Sequence, residues 1–261
     1  MTIRIAIAGA AGRMGTALVQ AVSQHADVSI VGASARAGSE AVGTDIAPGV
    51  TIVDDVARAA GNADVWIDFS TPDATRAALA ALDGTSVRAA IIGTTGMTAE
   101  TEAAIAEAGK RLAIVRSGNF SLGVNILAGL VRQTAERLGP AWDIEIIEAH
   151  HRRKVDAPSG TALMLGEAAA AGRGKSLHDL RLEPREGVTG SRTEGGIGFA
   201  VVRGGGIVGE HEVIFAAESE SLRFTHVAGD RSLFAHGAVH AALWAATQKP
   251  GLYSMQDVLG L

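Results

Sequence analysis

The fold is decided by the stretch Ile3–Gly15, which reads IRIAIAGAAGRMG. Its first six residues form an apolar, β-branched run that is typical of a buried parallel strand. Three glycines follow, an apolar pattern of helical period begins at Thr16, and a second apolar run lies at Val28–Ala33. The spacing GxxGxxG alone is typical of an ordinary turn. Between a strand and a helix, in a β-strand, α-helix, β-strand unit, it predicts a dinucleotide-binding loop.

The end of the second strand bears on the choice of cofactor. Dinucleotide-binding units commonly place an acidic residue there, which bonds the adenosine ribose. In this chain the strand continues into Ser34-Ala35-Arg36, and the nearest carboxylate, Glu40, lies several residues further on. Because Arg36 can pair with a 2′-phosphate and Ser34 can donate to it, we expect NADPH to be favoured over NADH. The alternative is that Arg36 is a solvated loop residue.

Strands and helices continue to alternate up to about residue 120. Further strands are predicted at Val65–Phe69, Ala89–Ile92 and Leu112–Val115, with helices after the first two. This order predicts an α/β fold with a Rossmann-type, doubly wound parallel sheet. Ligands of such sheets bind beyond the carboxyl ends of the strands, so turns at those ends are candidates for a cofactor site, although each alone is typical of a mere turn. They contain Ser70-Thr71, Gly93-Thr94-Thr95 and Ser117-Gly118-Asn119-Phe120.

The pattern changes after a long helix predicted near 121–138. A strand at Trp142–Ala149 and a helix at Thr161–Ala171 precede a Gly- and charge-rich stretch, 181–196, of the kind that forms lids, binding loops or contact arms. Three strand-like runs and a C-terminal helix follow. We predict a second α+β domain built on a small open mixed sheet. The predicted domains are 1–120 plus 238–261 for dinucleotide binding, and 121–237 for substrate binding and oligomerisation.

The composition excludes several classes of protein. The chain has 261 residues, of which 47% are hydrophobic and 20% charged, enough for two modest domains with apolar cores. Its net charge of −5 argues against a nucleic-acid partner, and no apolar run reaches the length of a membrane span. The absence of cysteine excludes disulfides, thiolate metal ligands and thiol nucleophiles. With an N-terminus that passes directly into a strand, these features predict a cytoplasmic protein.

The second informative stretch is Glu148–Thr161, which reads EAHHRRKVDAPSGT and ends where a helix is expected to begin. Histidine is suited to proton transfer near neutral pH, and lysine and arginine bind carboxylates. A helix N-terminus presents backbone N–H groups to an anion. A proton donor, cations and an anion-binding helix end within one segment predict a site for a small, negatively charged substrate.

Each of these residues also has a purely structural interpretation. His150, at a strand end, can be a hydrogen-bonded core histidine, and Arg152 and Arg153 can be solvated loop charges. Asp156 is as well suited to stabilising the turn as to orienting Lys154. The other histidines of the chain share no spacing typical of metal ligands, so we predict no metal site.

Three segments give the chain a specific resemblance to a known family. They are Gly9–Gly15, Gly93–Gly96 and Glu148–Thr161. Over essentially its full length the chain resembles the 4-hydroxy-tetrahydrodipicolinate reductases, formerly called dihydrodipicolinate reductases, of the diaminopimelate route to lysine. The resemblance implies hydride transfer from NAD(P)H to a cyclic dicarboxylate imine, giving tetrahydrodipicolinate. Together with the open sheet, which needs a cover, it implies a homotetramer.

The resemblance also implies roles for single residues. His150 is then the proton donor and Lys154 a second catalytic cation. Ala35 stands where many members carry the ribose-binding acid, which puts NADH use in doubt. The implied substrate-binding residues are His151, Ser159, Gly160 and Thr161. The implied cofactor-binding residues, with Arg36 added from the 2′-phosphate argument, are Gly9, Ala10, Ala11, Gly12, Arg13, Met14, Gly93, Thr94, Thr95, Ser117, Gly118, Asn119 and Phe120.

Two other classes of protein share part of this pattern. Another two-domain NAD(P)-dependent oxidoreductase, acting on an aldehyde, sugar or amino acid, needs the glycine loop but not the histidines and Lys154 followed by Pro158–Thr161. A non-catalytic dinucleotide sensor needs neither the proton donor nor the carboxylate clamp. The segment Glu148–Thr161 therefore separates the three hypotheses.

Overall fold

The computed structural model of the protein describes residues 2–261, which form two compact units. Unit 1 contains the chain up to residue 122 together with residues 232–261, and unit 2 contains residues 123–231. Within the described range, no helix combines the length and apolar character needed to cross a membrane.

Unit 1 is an α/β layer structure. Its strands are β1 Ile3–Ile7, β2 Val28–Ser34, β3 Asp45–Ala47, β4 Val50–Val53, β5 Val65–Asp68, β6 Ala89–Ile92, β7 Ala113–Arg116 and β12 Gly251–Tyr253. Its helices are α1 Arg13–Ser23, α2 Val56–Ala60, α3 Pro72–Ala81, α4 Ala99–Ala108, α8 Ser232–Ala245 and α9 Met255–Leu259. The strands form one sheet in the order β12-β7-β6-β5-β1-β2-β4-β3. Every pair is parallel except β3 with β4, which confirms the predicted doubly wound parallel sheet.

Alternation along β1 divides the core of unit 1 between the two faces of its sheet. Ile5 and Ile7 belong to an apolar cluster that includes buried residues of α1, α8 and α9. Ala6, between them, belongs to a second cluster with residues of α2, α3 and α4. Strands buried on both faces read as continuous apolar runs, which is why the sequence signalled them clearly.

Close backbone contacts explain two glycines of the loop between β1 and α1. Gly9 has φ +60°, a backbone conformation that residues with a side chain rarely adopt. A Cβ on Gly15 would lie 2.4 Å from the carbonyl oxygen of Gly9 and 2.5 Å from that of Ala10. Helix α1 therefore starts directly against the loop, and this approach is possible only without a side chain at position 15.

Unit 2 is the predicted α+β structure. Its elements are α5 Leu122–Leu138, which begins in unit 1, β8 Asp143–His150, α6 Gly160–Gly172, α7 Leu177–Leu180, β9 Ile197–Arg203, β10 Gly209–Ala216 and β11 Ser221–Ala228. The sheet order is β11-β10-β8-β9. The β8–β9 pair is parallel and the other two pairs are antiparallel, so the sheet is mixed, as predicted.

One face of this sheet forms the apolar core of unit 2. Ile144 and Ile146 of β8, with Val213 and Phe215 of β10, pack in a cluster that contains Leu127, Val131, Leu165 and Ala169 of α5 and α6. In the register, Glu148 lies opposite His211, and His150 lies beside Arg203. The same alternation that buries the isoleucines therefore directs Glu148 and His150 to the core-facing side, at the end of β8.

Several short elements differ from the sequence-based prediction. Strands β3, β4 and β12 and helices α2, α7 and α9 have three to five residues each and were not predicted. The predicted domain start at 238 falls inside α8, which packs as a whole helix in unit 1 from residue 232.

The long stretch 181–196 is bound to β8 through Arg192. The Arg192 guanidinium lies 2.9 Å from Glu145 and donates to the Ile144 carbonyl oxygen at 2.7 Å.

Candidate active site

The end of β8 places two side chains of the segment Glu148–Thr161 next to each other. Glu148 is 1% exposed, and its Oε2 lies 2.6 Å from Nδ1 of His150. Arg203, at the end of β9, binds both oxygens of Glu148 through Nη1 and Nη2, at 2.7 and 2.8 Å. A buried carboxylate thus lies between the imidazole and a bidentate guanidinium, which is the strong geometry for such a pair.

Burial and hydrogen bonding act in opposite directions on Glu148. Burial raises the pKa of the carboxyl group. The hydrogen bonds to Arg203, His150 and the backbone N–H of Ser159 outweigh burial and hold the pKa below its usual range. Glu148 is therefore an ionised carboxylate at neutral pH.

Ser159 joins the start of helix α6 to this carboxylate. Its backbone N–H donates to Glu148 Oε1 at 2.9 Å, and its Oγ accepts from the Ala162 N–H at 3.1 Å as the N-cap. Gly160, the first helical residue, is exposed, and a Cβ added there would meet no atom within 4 Å. Thr161 follows it, half-buried. The first turn of this 13-residue helix borders open space, and its dipole favours an anion there.

Lys154 lies in the turn that follows β8. Its backbone N–H donates to the His151 carbonyl oxygen at 3.1 Å, and its Nζ pairs with Asp156 Oδ2 at 2.9 Å. The Lys154 side chain is 21% exposed. The hydrogen bond from Lys154 lowers the pKa of Asp156, whose carbonyl oxygen also accepts from Arg203 at 2.7 Å. The Asp156 side chain thus pairs with Lys154, and the Asp156 backbone is bound by Arg203.

The remaining members of the segment differ in exposure. Arg152 and Arg153 are exposed, as expected for solvated loop charges. His151 is half-buried, and burial, followed by the charges of Arg153 and Arg231, lowers its pKa. His151 is therefore a neutral imidazole at neutral pH, able to donate one hydrogen bond and accept one.

No catalytic or binding role was predicted from the sequence for three residues of this cluster, Glu148, Arg203 and His211. Glu148 was visible in the segment, two residues before His150 and hence on the same strand face. Arg203 and His211 come from β9 and β10, and only strand register brings them to β8. Nε2 of His211 lies 3.0 Å from Ser159 Oγ, and the His211 and His150 rings meet edge to face at 5.1 Å. Within residues 2–261, no group of three or more His, Asp or Glu side chains is arranged to hold a metal ion.

The residues predicted to contact a cofactor lie in unit 1, at or just after the carboxyl ends of β1, β2, β6 and β7. Their backbone suits a close ligand. Gly12 is exposed, and a Cβ on Gly118 would meet no atom within 4 Å. The exposed backbone at Gly12, directly before α1, suits a dinucleotide phosphate at the start of that helix. The predicted set from the first loop is Gly9, Ala10, Ala11, Gly12, Arg13 and Met14, and the sets from the other turns are Gly93, Thr94 and Thr95, and Ser117, Gly118, Asn119 and Phe120.

The side chains of Phe120 and Thr94, both of that set, are occupied within the protein. The ring of Phe120 is 1% exposed and packs on Phe69 with a centroid distance of 5.3 Å. The Thr94 hydroxyl is buried and lies 2.9 Å from the Thr75 hydroxyl. At these two positions the backbone is therefore the part suited to contact a cofactor.

Arg36 and Ser34 differ in their surroundings at the end of β2. Arg36 is exposed, whereas Ser34 is 6% exposed and its carbonyl oxygen accepts from the Ala10 N–H at 3.0 Å. That hydrogen bond ties the end of β2 to the glycine loop. The guanidinium is thus on the loop that follows the strand end where an adenosine ribose is expected.

Comparison with known proteins shows the family to which the chain is similar. Residues 3–120 match the family model described as dihydrodipicolinate reductase, N-terminus, and residues 123–259 match dihydrodipicolinate reductase, C-terminus. The chain is 53% identical to the 4-hydroxy-tetrahydrodipicolinate reductase of Methylocella silvestris, over 99% of this chain and 97% of the relative. It is 52% identical to the enzyme of the same name from Caulobacter vibrioides, over 99% and 97%.

A solved structure shows the same likeness in three dimensions. It is a dipicolinate-bound dihydrodipicolinate reductase from a Paenisporosarcina species, with a TM-score of 0.79 and 25% identity, covering 97% of this chain and 98% of that one. The predicted family, fold class and enzyme class are confirmed. The chain belongs to the dihydrodipicolinate reductase family of NAD(P)H-dependent oxidoreductases, which act in diaminopimelate and lysine biosynthesis.

Proposed function

We propose that His150 and Lys154 are the catalytic residues of this reductase and that its substrate is a cyclic dicarboxylate imine held in unit 2. The observation that supports this most directly is the Glu148–His150 pair, 2.6 Å apart, in the segment that also contains the Lys154–Asp156 pair and the start of α6. A proton donor, a cation and an anion-binding helix end are the groups that such a substrate needs.

The proposed chemistry divides between the two units. Bound NAD(P)H supplies the hydride, and unit 1 is the proposed dinucleotide-binding domain. Electron density that builds up on the substrate after hydride addition requires a proton, which His150 gives, an effect typically worth about 10²–10⁴-fold in rate. Lys154 and the first turn of α6 bind the carboxylates, with contacts from His151, Ser159, Gly160 and Thr161.

Two variants test this assignment. The assay follows NAD(P)H oxidation with the freshly generated condensation product of pyruvate and aspartate semialdehyde. We expect His150→Ala to lower mainly kcat, because it removes the proton donor. Lys154→Ala is expected to raise KM and lower kcat together, because the cation acts in both binding and turnover. Unchanged kinetics in both variants would refute the assignment, and absence of turnover by the wild-type protein would refute the substrate.

A preference for NADPH rests on Arg36, which is exposed on the loop after β2. Its exposed guanidinium can form a bidentate pair with the 2′-phosphate. We expect a higher kcat/KM with NADPH than with NADH, and a smaller ratio in Arg36→Ala. Arg58→Ala, an exposed arginine of helix α2, is the matched control. A clear wild-type preference for NADH contradicts the proposal.

A homotetramer and a cytoplasmic location are further parts of the proposal. The sheet face of unit 2 that points away from its core carries the exposed side chains of Val202, 48%, and Val227, 62%. Apolar side chains on an open sheet face are suited to cover by another copy of the chain. Light scattering after gel filtration tests the tetramer, and Val227→Glu should dissociate it.

The cytoplasmic location is proposed because the reaction consumes a diffusible nicotinamide nucleotide. Immunodetection after cell fractionation tests this location.

A further inference from the structure

We propose that Glu148 is a positioning residue for His150: it holds the proton of the neutral imidazole on Nδ1, so that Nε2 is the atom that gives the catalytic proton. Arg203 is the second positioning residue, acting through Glu148. The inference rests on the proposed role of His150 and goes beyond it by assigning a tautomer and the groups that set it.

The first step is the hydrogen-bond count at Glu148. Its Oε1 lies 2.9 Å from the Ser159 backbone N and 2.8 Å from Arg203 Nη2, and its Oε2 lies 2.7 Å from Arg203 Nη1 and 2.6 Å from His150 Nδ1. The side chain has no exposed surface. All four of its contacts thus come from the protein, two at each oxygen.

The second step is the direction of these bonds. An ionised carboxylate can only accept hydrogen bonds, and backbone N–H and guanidinium groups can only donate. His150 Nδ1 must therefore carry a proton whether the ring is neutral or charged. Only Nε2 remains to gain and lose a proton, which makes it the position of proton transfer.

The third step concerns Arg203, which keeps the carboxylate in place. Its two nitrogens bind the two oxygens of Glu148 in parallel, and Nη2 also donates to the Asp156 carbonyl oxygen at 2.7 Å. A lysine can supply the charge at this position but not the planar fork. The pair therefore fixes the Glu148 carboxylate plane, and with it the direction of the hydrogen bond to His150.

The same geometry predicts what a neutral isostere does. In Glu148→Gln one oxygen becomes an NH₂ group, which must face donors whichever way the amide turns. Facing Nδ1 of His150, the NH₂ group forces that nitrogen to accept, and the neutral ring then carries its proton on Nε2. The doubly protonated imidazolium, which is the acid, is disfavoured because Nδ1 would then also be a donor. Facing Ser159, the NH₂ group opposes a backbone N–H at the start of α6 instead.

Kinetics test the proposal through non-additivity. We expect Glu148→Gln to lower kcat by about 10²-fold, but to have no further effect on kcat in the His150→Ala background, because its effect passes through that ring. Arg203→Lys should lower kcat less, and again only when His150 is present. The control is Glu145→Gln, a residue of the same strand that pairs with Arg192 instead, and it should leave kcat unchanged.

NMR of the wild-type protein provides a test that does not depend on any variant of Glu148 folding. The ¹⁵N shifts of the His150 ring, assigned by loss of its signals in His150→Ala, should show a protonated Nδ1 when the ring is neutral. In the neutral ring, a proton on Nε2 instead of Nδ1 overturns the proposal, as does wild-type kcat in folded Glu148→Gln or Arg203→Lys. If His150→Ala keeps its kcat, the proposed catalytic role of His150 fails, and the NMR result still decides the tautomer.

Discussion

The hydroxyl of Ser159 lies 3.0 Å from Nε2 of His211, a 4% exposed histidine on the strand next to β8. His211 thereby supports the N-cap of the helix at which we place a carboxylate of the substrate. Burial, followed by the charge of His150, lowers the pKa of His211 to about 4. At neutral pH His211 is therefore neutral, and it does not repel a positive charge on His150.

The low pKa of His211 predicts acid sensitivity. In the unfolded chain this histidine titrates near its ordinary value of 6.5, and in the folded protein at about 4. The unfolded state therefore binds the extra proton between these values, and acidification across this window favours unfolding. The full loss of stability across this window is roughly 3–4 kcal/mol, from about 1.4 kcal/mol per pKa unit. Urea unfolding of wild type and His211→Gln between pH 7 and 4 measures it: the wild type should lose more stability than the variant, and parallel losses would contradict the prediction.

Gly209 is predicted to leave necessary space beside the imidazole of His150. A Cβ at this position of β10 would lie 3.1 Å from His150 Nε2, tighter than ordinary contact. We expect Gly209→Val to displace the imidazole and lower kcat by about 10- to 100-fold, since misplacement by about 1 Å has effects of that size. The matched control is Gly206→Val in the preceding turn, where a Cβ meets no atom within 4 Å. Equal kcat values in the two variants would argue against this role.

An ion pair with a buried carboxylate lies at the amino ends of β1, β5 and β6, whereas the predicted cofactor residues follow the carboxyl ends of the strands, so it should affect stability alone. Asp64 is 2% exposed, accepts from the Arg4 backbone N–H and guanidinium at 3.0 to 3.1 Å, and lies 3.1 Å from Arg88. The hydrogen bond from Arg4 lowers the pKa of Asp64, so this stabilisation is lost only as the pH falls below the ordinary Asp value of 3.8.

We expect Asp64→Asn to lower the free energy of unfolding by about 1–3 kcal/mol at neutral pH, because the amide turns a donor toward an arginine. Asp73→Asn, which removes an exposed partner of Arg76, should change it by less than about 1 kcal/mol. Urea unfolding measures both, with kcat/KM as the check that the site is intact. A loss of activity in folded Asp64→Asn would place this ion pair in the functional network instead.

The parts of the fold that the sequence predicted are those with local signals. The run Ile3–Ala8 is apolar because both faces of β1 are buried, and the glycines after it reflect the approach of α1. Strands β3 and β12 have three residues each, too few to show a period of two. They exist because they extend the edges of an established sheet, which is a tertiary effect.

The site divides in the same way. His150, Lys154 and Ser159 belong to one continuous segment, so their chemistry could be inferred from the sequence. Arg203 reaches Glu148, and His211 reaches Ser159 and His150, because β9 and β10 pair with β8 in one register. A shift by one residue would turn their side chains to the opposite face. No local pattern in the sequence specifies that register.

Gly15 is predicted to connect helix packing with cofactor binding. A methyl group there would lie 2.4 Å from the Gly9 carbonyl oxygen, so in Gly15→Ala the helix α1 must move away from the loop. Overpacking of this kind costs about 1–3 kcal/mol. If the displaced loop has to return to its wild-type position to bind NADPH, part of this free energy is lost from binding. A loss of about 1.4 kcal/mol raises the Kd about tenfold. Fluorescence titration with NADPH measures the Kd, and thermal unfolding checks the fold. Gln20→Ala, an exposed residue of the same helix, is the control and should leave the Kd unchanged. A folded Gly15→Ala protein with the wild-type Kd would show that the loop and α1 are independent.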